Sequence, residues 1–198
     1  MEITEVLNKR GYSLKTIPRL FIIALLLVCS GCVSVLRIDG PYEGKVVDRE
    51  TNQPIEGAVV HCTWNKVHVT PAGGLGEYYD SYEVLTDSKG EFEIPGKGLL
   101  VFSSIDKMDI TIFKAGYEQV RPNPWHGFKK YAYGARDIVS WEGDKAIFKL
   151  KRLSLEERRN RGITMPLTPA KKQRLMRMES NKEDTEIGRP LNSLYPVE

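Results

Sequence analysis

The chain has 198 residues, 41% of them hydrophobic and 28% charged, with a formal net charge of +3 and only 3 cysteines. That length suits one domain of ordinary size with additions and is too short for two large ones. The apolar fraction excludes wholesale disorder, 3 cysteines exclude a multi-disulfide scaffold, and so weak a positive charge does not point to nucleic acid.

The first residues do not read as domain sequence. Lys9, Arg10, Lys15 and Arg19 form a basic flank, diluted by Glu2 and Glu5, ahead of nine unbroken apolar residues at 20–28. As a helix this run is about 14 Å long at ~1.5 Å per residue, roughly half of a ~30 Å hydrocarbon core. It is too short to span a bilayer and has the length of a signal-peptide apolar region. The run closes on Cys29, Ser30, Gly31 and Cys32. Two small residues before a cysteine resemble a bacterial lipobox, with Cys29 standing where that motif most often has leucine. The resemblance implies a bacterial lipoprotein, cleaved between Gly31 and Cys32, with a diacylglyceryl thioether on Cys32 and usually an acyl chain such as palmitate on the new amine. Several such chains, at roughly 0.8 kcal/mol per buried methylene, hold a protein on a membrane. Val33 and Ser34 follow rather than Asp, which in a Gram-negative host favours the outer membrane, facing the periplasm. Residues 1–31 are therefore expected to be a signal peptide and residues 32–37 a short tether. The cell envelope is the expected location and the membrane the first partner.

Without residues 1–31 the chain keeps 25 basic and 24 acidic residues; residues 151–198 hold 11 and 7, residues 32–150 hold 14 and 17. The basic bias of the tail suits contact with anionic headgroups or glycan, or simply a solvated helix. Cys62 is the one thiol left after processing, so no intramolecular disulfide is expected. Alternation from residue 58 places Ala58, Val60, Cys62 and Trp64 on one strand face and Val59, His61 and Thr63 on the other, with Cys62 a core filler.

Residues 38–153 read as short strands punctuated by Gly, Pro and Asp. Strands are expected at 42–48, 58–67, 82–86, 91–94, 108–113 and 145–150. A turn-forming cluster lies at 50–54, a flexible excursion at 70–76, and a hairpin turn at Asp87, Ser88, Lys89 and Gly90. Inward positions are Met108, Ile110 and Ile112 on one strand and Ala146, Phe148 and Leu150 on another. This pattern argues for a mainly β, antiparallel sandwich.

Three separated pieces carry a further resemblance: Gly44 to Asp48 with Thr51 and residues 53–60, residues 86–94, and Lys114, Ala115, Gly116 and Tyr117. Together they resemble the carboxypeptidase regulatory-like domain, whose fold is a transthyretin-like (Ig-like) β-sandwich. The resemblance covers residues 38–120 and extends plausibly to 145–150. It does not imply carboxypeptidase activity, which resides in a separate zinc domain with a His-x-x-Glu motif. His61, His68 and His126 are followed three positions on by Trp64, Pro71 and Lys129. The C-terminal Tyr-Arg-Gly-Ser of hydroxyisourate hydrolase is also missing.

Adjacent strand residues face opposite ways, so His61 and Cys62 cannot readily share a metal ion; no metal or other cofactor is expected. Residues 118–144 exceed an ordinary loop and contain Trp125, His126, Phe128, Tyr131, Tyr133 and Trp141. Two readings stand: a platform stacking sugar rings, with Trp125, His126, Tyr131, Tyr133 and Trp141 as ligand contacts, or aromatics packed over the sandwich. Beyond residue 153, Ser154 and Glu157 form a capping-box pattern opening a short helix to Arg161. Thr168 and Pro169 precede a second, polar helix over 170–187, so residues 154–198 read as a helical extension. The expected function is a lipid-anchored, non-catalytic binding or structural module. The alternatives are a carbohydrate- or peptidoglycan-binding lipoprotein, or an enzyme with its site near His126 or Lys130. An envelope protein or glycan is the expected soluble partner, and nucleic acid is not.

Overall fold

The structure, a computed structural model, describes residues 36–70, 73–101, 103–106, 108–122 and 138–190. The chain divides into two units, Met1–Leu36 and Arg37–Glu198, and of the first only Leu36 is among the described residues. In chain order the elements are β1 (Leu36–Asp39), β2 (Tyr42–Asp48), β3 (Val59–Thr70), β4 (Gly73–Leu85), β5 (Glu91–Ile94), β6 (Gly98–Val101), β7 (Asp109–Phe113), β8 (Val139–Glu142) and β9 (Lys145–Leu150). Helix α1 (Leu155–Asn160), a 3-10 turn (Ala170–Lys172) and helix α2 (Arg174–Glu186) follow.

The strands form one sheet in the order β5-β2-β9-β8, a second in the order β4-β3-β7, and a ribbon of β1 and β6. Alternation along β3 works as expected: Ala58, Val60, Cys62 and Trp64 are all fully buried. They meet Val46, Phe92, Ile94, Ala146, Phe148 and Leu150 of the other sheet, with Met108, Ile110 and Ile112 alongside, in one apolar cluster. The molecule is a mainly β sandwich with a helical C-terminal extension.

Three local expectations are corrected. First, the pairing of β2 with β9 is parallel, from Gly44 opposite Ala146 to Asp48 opposite Leu150, while the other pairs in these two sheets are antiparallel. Second, the turn at 87–90 does not close a hairpin, because β4 and β5 belong to opposite sheets. The Asp87 carboxylate holds the amides of Lys89 and Glu91 at 2.9 and 2.8 Å, and Gly90, at φ +74°, delivers its carbonyl to the Val46 amide at 2.8 Å. A side chain there would run into the Val46 carbonyl. The turn therefore carries the chain across the core. Third, residues 73–76 are the start of β4 rather than an excursion. The β3–β4 ladder runs to Thr70 opposite Gly73, with a bulge between Trp64 and Asn65. Glycines there leave pairing to the backbone alone, which gives no side-chain alternation to read. The structure also adds β6, which the strand pattern did not suggest, and places β1 ahead of the first expected strand.

At the C-terminal end the Ser154 capping box is present, with the hydroxyl accepting from the Glu157 amide and the Glu157 carboxylate accepting from the Ser154 amide. Lys151 and these Ser154 contacts hold the Glu157 carboxyl down to about 2. The second helix is shorter than expected. Gln173 interrupts it by donating its side-chain amide to the carbonyls of Pro166 and Thr168, leaving α2 to begin at Arg174.

Gly44 shows how tightly the sheets meet. A Cβ at this position would lie 2.7 Å from Phe92 Cε1 and 2.9 Å from Phe148 Cε2, and those two rings stack at 5.8 Å between centroids. Replacing Gly44→Ala is therefore expected to cost roughly 1–3 kcal/mol through overpacking. A urea titration checks this: the midpoint falls while the slope stays as in the native protein.

Candidate functional site

Of the residues singled out for ligand binding, Trp141 alone is among the described residues. It lies on β8 and is half-buried against the core cluster. Gly31, Cys32, Trp125, His126, Tyr131 and Tyr133 lie outside the described residues. Cys62 is buried and burial pushes its thiol well above the ordinary range, as a core filler requires. His68 is exposed and pairs with Glu77 at 2.8 Å. Among the described residues no cluster of three or more His, Cys, Asp or Glu side chains is placed to hold a metal ion.

The two ends of the sandwich are fastened by buried carboxylates. At one end Asp39 accepts from the Trp64 indole at 2.8 Å, from the Lys97 amide at 2.9 Å and from the Tyr42 hydroxyl at 2.8 Å. Burial, then the Asp39 carboxylate, pushes the Tyr42 phenol above its usual range. Lys97 lies over the Trp64 ring at 4.3 Å and donates to Asp80 at 2.6 Å. At the other end Asp48 accepts from the amides of Glu50 and Thr51 and from the Tyr117 hydroxyl. Burial would raise the Asp48 carboxyl, but those donors outweigh it and hold it below the ordinary range. These groups are spent on structure.

The outer face of β3 is more informative. Val59, facing away from the sandwich core, joins Phe113 and Met176 in a second buried cluster beneath α2. Two positions on, His61 is 1% exposed. Its Nδ1 donates to Glu83 at 3.1 Å, and its Nε2 faces the Thr168 hydroxyl at 3.5 Å. The Glu83 carboxylate also accepts from the Leu175 and Met176 amides at 2.8 and 3.2 Å. Those are free amides of the first turn of α2, where a negative charge is favoured. The result is a hydroxyl–imidazole–carboxylate relay enclosed under the extension, where it docks a helix. Sequence reading missed Glu83, although His61 and Glu83 are direct partners in the β3–β4 register.

Further along the same face the cover ends. Thr63 and Asn65 of β3 and Thr111 of β7 floor a cavity of about 470 Å³. Tyr78, Asp109 and Arg121 stand around it, and Pro166 and Leu167 of the extension overhang it. Arg121 is fixed from outside by donating to the Thr164 carbonyl at 2.9 Å. Hydroxyls, a carboxamide, a phenol and one charge of each sign provide donors and acceptors in several directions beside apolar wall. Such a lining suits a compact neutral or zwitterionic polar ligand better than a hydrocarbon.

Compared with protein-family models, with curated proteins and with solved structures, the chain finds no match.

Glu83 is expected to be the linchpin of the extension. Replacing Glu83→Gln leaves one oxygen to serve two helix amides and His61, and is expected to cost about 2–3 kcal/mol. Hydrogen exchange provides the check, with the Leu175 and Met176 amides losing protection before those of the β3–β7 ladder.

Proposed function

We propose that this is a lipid-anchored envelope protein whose β-sandwich is a non-catalytic binding module with a saccharide-type ligand. The observation that carries the binding reading is the polar cavity between the outer sheet face and residues 166–167. Side chains with hydroxyl, amide and paired charge chemistry are what sugars engage. Pro122, which lines the cavity, is followed directly by the stretch containing Trp125, His126, Tyr131 and Tyr133. Support for a non-catalytic role comes from the fates of the reactive groups described above: Cys62 lies in the core and His61 is enclosed under the extension.

The anchor reading is supported by the sequence ending at Gly31 and Cys32, and it places the module at a membrane surface, in a Gram-negative host on the periplasmic face of the outer membrane. The transthyretin-like assignment belongs to the same proposal. A sandwich with Phe92, Ile94 and Val60 in its core and Tyr117 at one end is compatible with the motifs that prompted it.

Two measurements test these readings separately. Calorimetry with soluble muropeptides and neutral oligosaccharides is expected to detect binding that falls roughly tenfold in Asn65→Ala, the equivalent of about 1.4 kcal/mol. Unchanged affinity in that variant removes the cavity from the proposal. Metabolic labelling with radioactive palmitate is expected to mark the native chain and to leave Cys32→Ala unlabelled; equal labelling of both excludes Cys32 as the acceptor.

A further inference from the structure

The β1–β6 ribbon turns two unlike faces outward and inward. Inward, Asp39 is buried against Trp64, and Arg37 donates to the Ile105 and Asp106 carbonyls at 2.8 and 3.2 Å. Strand alternation then forces the other side chains out. Ile38 is 75% exposed, Leu99 62% and Val101 52%. These three large aliphatic groups are all exposed on the paired short strands of one ribbon, in contrast to the scattered exposed leucines every surface carries.

Two features of the chain select the occupant. The first is covalent reach. Only residues 33–35 separate Cys32 from the first residue of β1, so Leu36 lies at most roughly 14 Å from Cys32 at about 3.5 Å per step. The interfacial layer of a bilayer leaflet is itself about 5–8 Å deep. On the anchor reading, a ribbon tied within roughly 14 Å of a lipidated cysteine stays within reach of the headgroup layer. The second is size. Three aliphatic side chains offer on the order of 300 Å², well below the ~800 Å² per partner of a stable protein interface. Partitioning into a membrane interface has no such threshold, because each apolar group contributes on its own.

We propose that the β1–β6 ribbon is a membrane-docking face, with Ile38, Leu99 and Val101 seated at the headgroup–acyl boundary of the bilayer that holds the Cys32 lipid. This inference rests on the anchor reading above. It adds a second, non-covalent contact that fixes the orientation of the sandwich on the membrane instead of leaving it to swing on its tether.

The test uses the full acylated chain in vesicles of phosphatidylethanolamine and phosphatidylglycerol. An environment-sensitive fluorophore is placed at Leu99→Cys, or at Glu156→Cys on exposed α1 as control; Cys62 is fully buried and stays unlabelled. Lipids carrying a spin label on the acyl chain are expected to quench the Leu99 probe roughly twofold and to spare the Glu156 probe, as shallow insertion requires. Slower hydrogen exchange in β6 on adding vesicles gives the same answer without a label. A protein that carries the acyl mass and floats with the vesicles, yet shows an unquenched Leu99 probe and unchanged β6 exchange, overturns the docking face and leaves the anchor standing. Disulfide formation on mild oxidation between two copies of the unlabelled Leu99→Cys variant overturns it in favour of self-association. Absence of any acyl mass at Cys32, with no flotation, overturns both readings.

Discussion

A strand buried on both faces needs two covers, and β3 is such a strand. One row of its side chains, Ala58, Val60, Cys62 and Trp64, is sealed by the opposite sheet. The other row begins with Val59 and His61, which no sheet reaches, and it is the C-terminal extension that closes over them. The extension is thus a third layer of the fold. The cavity follows from the same geometry, since Thr63 and Asn65 continue the outer row beyond His61, where Pro166 and Leu167 rather than α2 stand beside it. Along that row Val59 and His61 are buried, whereas Thr63 and Asn65 are only partly covered.

How the extension is held explains why its helix is so poor in apolar residues. Met176 supplies the main buried contact, with Leu175, Ile163 and Met165 packed beside it, and the attachment further along α2 is made by carboxylates. Glu179 and Glu183 accept from the Ala115 and Gly116 amides at 3.0 and 2.7 Å, and Arg158 of α1 grips Glu183 with two bonds of 3.0 and 2.7 Å. Burial would raise the Glu183 carboxyl, but Arg158 and the Gly116 amide more than offset that and hold it below the ordinary range. Charge-assisted bonds to backbone amides do here what a leucine stripe does in an ordinary amphipathic helix.

Much of the sandwich could be read from the amino acids. Alternation identified the inward rows of β3, β7 and β9, because burial on one side imposes a period of two that composition cannot hide. Ser154 and Glu157 announced α1 because both halves of a capping box are local. What escaped were features set by distant partners. Gly73, Gly74 and Gly76 have no side chains with which to signal a strand, so the far end of the β3–β4 ladder, at 73–76, reads as an excursion and the pairing of the two strands stays hidden. Without that ladder the register opposite His61 could not be counted, and Glu83 went unnoticed. The turn at 87–90 has hairpin chemistry but connects two sheets, and nothing within four residues distinguishes those uses. The cavity is built from Thr, Asn and Tyr positions that carry no motif, so nothing local in the sequence pointed to it.

The parallel pair of β2 and β9 has a temporal side. On one edge Gly44 pairs with Phe92, but on the other its partner is Ala146, so a chain emerging from its N-terminus must hold that second edge of β2 unsatisfied until roughly a hundred further residues have appeared, the kind of long-range closure that slows folding. The sandwich cannot seal one domain-half at a time. A polypeptide with this wiring closes its sandwich only when nearly the whole domain has been made.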